Sequence, residues 1–115
     1  VRSGDVVGAA EALRFAVHDT RERVGDAPRS ATIVGVDGTG AVAVYVATSE
    51  LAHDDTLLPA AVTLDDVPGD EKLVLWVCDA RQTDAALLAA TRASTGIAGC
   101  AIDVVTLKKQ VTATP

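Results

Sequence analysis

Six consecutive apolar residues, Leu73 to Cys78, sit between Lys72 and Asp79. A continuous run of this length, rich in β-branched and aromatic side chains, predicts a strand buried on both faces. A turn at Asp79 to Gln82 follows, then a helix from Thr83 to Ser94, Gly96, and a second apolar run from Cys100 to Leu107. Strand, helix and strand in that order predict a right-handed crossover with the two strands parallel.

Upstream, Val6, Ala10, Leu13, Val17 and Val24 recur at spacings of three, four and seven, one face of an amphipathic helix. Ser3 or Asp5 would cap it, and Gly25 would end it. His18 then falls on the opposite face with Glu11, Arg14 and Arg21, as a surface histidine. Ala31 to Asp37 and Ala41 to Thr48 flank Asp37-Gly38-Thr39-Gly40, which predicts a hairpin apolar on both faces. From Ser49 a short helix is expected to run to Leu58 and stop at Pro59. A short strand at Ala61 to Leu64 and an acidic turn at Asp65 to Glu71 complete the reading. Together these elements predict an α/β fold in one domain, residues 1–107, with a mixed four- or five-stranded sheet and two main helices. The order is α-β-β-(α)-β-α-β, and residues 108–115 form a loose polar tail.

Composition narrows the function classes. Hydrophobic residues make up 49% of the 115, enough for a core, but aromatic residues only 3%, so few rings are available to stack on a nucleobase. Sixteen acidic against 10 basic residues give a net charge of −6, and Lys108–Lys109 is the one adjacent basic pair. Phosphate-rich partners require clustered cations, so neither nucleic acid nor anionic membrane is an expected partner. No apolar run approaches the roughly 20 residues that span a bilayer, and no secretion signal is visible. Cys78 and Cys100 are read as core thiols of a cytoplasmic protein, although a disulfide between neighbouring strands is sterically conceivable.

Chemistry-bearing candidates are few. Asp79, Arg81 and Gln82 sit where the central strand gives way to a helix, the place where parallel sheets bind ligands. The competing reading is a plain capped turn. His53, Asp54 and Asp55 are the densest potential metal ligands, but adjacent side chains diverge, so they are read as a solvated loop and no metal site is assigned. The sequence contains no phosphate-binding loop, no paired-histidine helix and no Cys-x-x-Cys.

The order of elements, with His53-Asp54-Asp55 and Val77-Cys78-Asp79-Ala80-Arg81-Gln82, resembles the core of the cytidine deaminase family. That resemblance implies His53 and Cys78 as zinc ligands and Asp55 in the place of the family's proton-shuttling glutamate, so the catalytic candidates are His53, Asp55 and Cys78. Val77 replaces the family's proline, and its second cysteine is absent. The resemblance therefore implies a divergent or inactive hydrolase or a nucleoside-binding domain, with zinc only on that reading and otherwise no cofactor.

The leading expectation is a non-catalytic domain that works by association, as a homo-oligomer (a dimer foremost) or with a protein partner. The helix from Thr83 to Ser94 carries only Asp84 and Arg92 as charges, and Ala86, Ala89, Ala90 and Ala93 would let a partner approach closely.

Overall fold

The computed structural model of the chain describes residues 6–8, 12–18, 28–51, 55–58, 62–63 and 70–110. Nine strands and one helix lie within them: β1 (Val6–Gly8), β2 (Ala12–Leu13), β3 (Ala16–His18), β4 (Arg29–Val36), β5 (Val42–Leu51), β6 (Asp55–Leu57), β7 (Val62–Thr63), β8 (Glu71–Cys78), α1 (Asp84–Ala93) and β9 (Cys100–Gln110). The main sheet has the order β1-β9-β8-β4-β5. All its pairings are antiparallel except β1 with β9 at one edge. Two short antiparallel ladders, β2 with β7 and β3 with β6, form separate small sheets.

Side chains alternate across the main sheet as strand geometry requires. On one face Ala31, Ile33, Leu73, Val77 and Leu107 pack with Leu13, Val17 and Leu58 from the region of the short ladders. On the other face Val34, Val74, Trp76 and Cys78 pack against Leu87 and Ala90 of α1. The strand at 71–78 is thus covered on both sides, and burying a side chain such as Leu87 contributes roughly 2 kcal/mol.

The α/β reading with two main helices is overturned, because the described residues hold a single helix. The segment read as the opening helix contains β1, β2 and β3 instead. The physical reason is a period-two pattern inside the apparent helical spacing. Leu13 and Val17 are buried and Phe15 half-buried, while Arg14, Ala16 and His18 between them are exposed. Two further corrections follow. Ser49 to Leu51, expected to start a short helix, end β5, and Lys108 to Gln110, assigned to a loose tail, pair with β1.

The connection from β8 through α1 to β9 also differs from the expected parallel crossover, since the two strands are antiparallel. Antiparallel pairing sets the end of one strand against the start of the next, so Cys78 faces Cys100 directly, with their Cα atoms 4.0 Å apart. They form a disulfide, which replaces the expected free thiols. Parallel strands in register would have held these residues a strand length apart, on the order of 20 Å at the usual rise per residue.

Local chemistry explains where the elements start and stop. In the β4–β5 hairpin, Asp37 N donates to Ala41 O at 3.1 Å and Gly40 takes a φ of 86°. The Asp37 carboxylate accepts from the Thr39 and Ala41 amides at 2.8 and 3.1 Å. This is a three-residue loop whose left-handed position is glycine. Helix α1 is capped by Thr83, whose hydroxyl accepts from the Ala86 amide at 3.1 Å, and it carries Asp84 in its first turn and Arg92 in its last. It ends at Ser94, which is left-handed at φ 54°.

Candidate functional site

The turn after β8, favoured by the sequence, is held together by structural contacts. Arg29 is buried on β4, and its Nε donates to the Asp79 carboxylate at 2.9 Å. The Asp79 amide donates to Gly99 O at 2.9 Å, tying the start of the excursion to its end. Gln82 donates through its side-chain amide to Ala80 O at 3.2 Å, and Arg81 is exposed. Asp79 and Gln82 thus serve an ion pair and a turn, and neither of the two concavities described below is lined by Asp79, Arg81 or Gln82.

The candidates drawn from the deaminase resemblance do not come together either. Cys78 is bonded to Cys100 and offers neither a thiolate ligand nor a nucleophile in this state. The backbone of Asp55 pairs with that of His18 in the β3–β6 ladder. His53 and Asp54 lie outside the described residues. Among the described residues no three His, Cys, Asp or Glu side chains are grouped as a metal site would need. Of the order of elements on which the resemblance drew, the antiparallel β4–β5 pair and the β8-α1-β9 unit are present, while β1, β2 and β3 lie where its opening helix was expected.

Of the helix residues expected to face outward, Ala89 and Ala93 are exposed and Ala86 is half-buried. Ala90 is not outward: at 8% exposure it packs with Leu87 against Trp76 and Val74. The helix is fixed to the sheet there by a relay, in which Trp76 Nε1 donates to Thr91 Oγ1 at 3.1 Å and that hydroxyl donates to Leu87 O at 2.7 Å.

A concavity lies beside this docked helix. It is a groove of about 500 Å³ between the last turn of α1 and the sheet. Its floor is Val36, Val42, Val74, Trp76, Ile102 and Val104, from four strands of the main sheet. Ile102 and Val104, 43% and 48% exposed, are the large hydrophobic residues most open to solvent among those described. Both lie on β9, two residues apart and therefore on one face. Lys72 on β8 and Arg92 on α1 supply the charge, and the polar lining is completed by Thr91, Ser94 and Thr95.

Sequence reasoning missed this groove. It placed the apolar surplus on the outer side of the helix, whereas the helix spends its leucines and Ala90 on the sheet and leaves part of β9 uncovered. A readable signal was present in β9, where Ile102 and Val104 share a face with Cys100, but strand order was needed to see that the face lacked a lid. A smaller crevice of about 120 Å³ on the opposite face, between Phe15 and Leu75, separates the two β layers. Compared with family models, with curated proteins and with solved structures, the chain matches none of them.

Proposed function

We propose that this is a non-catalytic domain that acts by binding a protein partner through the groove beside α1. The observation that carries the reading is the clustering of Ile102 and Val104 on one floor with Val74 and Trp76. Single exposed hydrophobic residues need no explanation, but a contiguous patch rimmed by polar groups is how interaction sites are built. An apolar floor excludes water, while Lys72, Arg92, Ser94 and Thr95 set orientation at the rim.

Selection from a displayed library of random peptides tests this, with binders located by amide chemical shifts. Enriched peptides should perturb Trp76, Ile102 and Val104, and Ile102→Asp should abolish those shifts while the domain stays folded. Absence of enriched binders, or binders that map elsewhere, would remove the groove from consideration.

The cysteines also bear on the compartment. A cytoplasmic location was expected while Cys78 and Cys100 counted as free thiols. Their disulfide supports a compartment that keeps thiols oxidised instead, since reducing compartments rarely preserve structural disulfides. Alkylation of intact cells before lysis should leave both cysteines unlabelled, and full labelling would return the protein to a reducing compartment. No helix of the described residues is long and apolar enough to cross a membrane.

A further inference from the structure

We infer that the groove takes an extended segment of a foreign protein in which apolar side chains alternate with carboxylates. This rests on the association reading above and adds to it the chemistry of the partner. Charge is the deciding observation. The chain carries 16 acidic and 10 basic residues, yet among the described residues no acidic one lines the groove, and the two charged residues that do are both cations. Lys72 and Arg92 are exposed, and neither makes an ion pair or hydrogen bond with another side chain among the described residues. The groove is therefore a locally positive, apolar-floored patch on a protein of net charge −6. Complementary charge steers association and selects partners.

The occupant's shape follows from the same residues. The two cations stand on different elements, one on the sheet and one on the helix, so an occupant that satisfies both offers more than one carboxylate. An extended chain alternates its side chains with period two, which lays apolar groups on Ile102 and Val104 and turns the acidic ones to the rim. A second copy of this chain fits poorly. Groove against groove would bring the Lys72 and Arg92 of both copies together, and an acidic face of one copy in the groove of the next would make a heterologous contact that does not close a two-fold dimer.

The test uses three probes on the intact protein. These are a fluorescein-labelled octapeptide alternating valine with glutamate, its counterpart with lysine for glutamate, and dodecanoate. The glutamate peptide should bind in the micromolar range, and about tenfold more weakly at about 0.5 M salt. Lys72→Gln with Arg92→Gln should weaken it by a similar factor, Ile102→Ser should remove it, and the lysine peptide should not bind. Equal binding of the two peptides, or indifference to the double variant, would overturn the inference. So would displacement of the glutamate peptide by dodecanoate, which would make this a small-acid site. Sedimentation showing a dimer lost on Ile102→Ser would give the groove to a second copy. Neutral or basic library peptides that still map to the groove would defeat this inference alone, whereas peptides that miss the groove would defeat the association reading with it.

Discussion

Tyr45 lays its ring where a side chain on Gly35 would project. The β4–β5 pairing shifts at this point, since Ile33 faces Val46 while Val34 faces Val44, and Tyr45 is the extra residue of the bulge. Its ring crosses β4 over the glycine, and its hydroxyl donates to Glu71 Oε2 on β8 at 2.9 Å. Glu71 is fully buried, so that bond also helps solvate a carboxylate removed from water. Gly35→Ala should push the ring aside and cost about 1–3 kcal/mol, read as a lowered urea midpoint. In a Tyr45→Ala background the same change should cost far less, with a coupling of about 1 kcal/mol or more in the double-mutant cycle. Strict additivity would mean that the ring does not depend on the glycine.

The disulfide closes a 22-residue separation that contains all of α1. Chain-entropy arguments give such a loop about 3 kcal/mol. Cys78→Ala with Cys100→Ala, or reduction of the wild-type protein, should lower stability by that order in chemical denaturation. A reductant that leaves the wild-type midpoint unmoved would show that the bond adds nothing to the folded state.

Neighbouring alanines on α1 should respond oppositely to the same substitution. Ala90→Glu forces a carboxylate between the helix and Trp76, and should cost several kcal/mol or prevent folding. Ala89→Glu places its charge in water and should lie within about 0.5 kcal/mol of wild type. Thermal melts followed by circular dichroism separate the two, and equal effects would mean that the helix docks through another face.

Ser94 ends α1 in the left-handed conformation, and its amide bonds to the Ala90 and Thr91 carbonyls. That backbone is costly for a residue with a Cβ and easy for glycine. Ser94→Gly should raise stability by about 0.5–1 kcal/mol, the difference between left-handed strain and the extra entropy of the unfolded chain. A destabilised variant would mean that the serine side chain contributes more than the strain it carries.

Much of the main sheet was legible from local patterns. The β8 run, the hairpin around Asp37 to Gly40, the helix capped at Thr83 and the strand from Cys100 lie where hydrophobic spacing and turn residues put them. Errors entered where two periods competed or where a long-range choice was involved. Leu13 and Val17 satisfy a helical spacing of four and a strand spacing of two equally well, and only Phe15 between them distinguishes the two. A connection long enough to hold α1 permits either strand direction, so local sequence could not choose antiparallel over parallel. The cysteines could have done so: one ends its strand and the other begins the next, and only antiparallel pairing brings such positions together. The groove was illegible for a related reason. Its walls come from β4, β5, β8, β9 and α1, and no window of the sequence contains them all.

The covalent link between Cys78 and Cys100 makes the excursion from Asp79 to Gly99 part of a closed ring. A protease that cut the backbone once anywhere in this arc would add one water to the mass without parting the molecule. The two fragments would remain bonded, and β8 and β9 would keep their register. Only reduction would release them. The helix that walls the groove can thus be opened at its ends, or replaced by another segment of similar span, while the sheet beneath it stays a single covalent body.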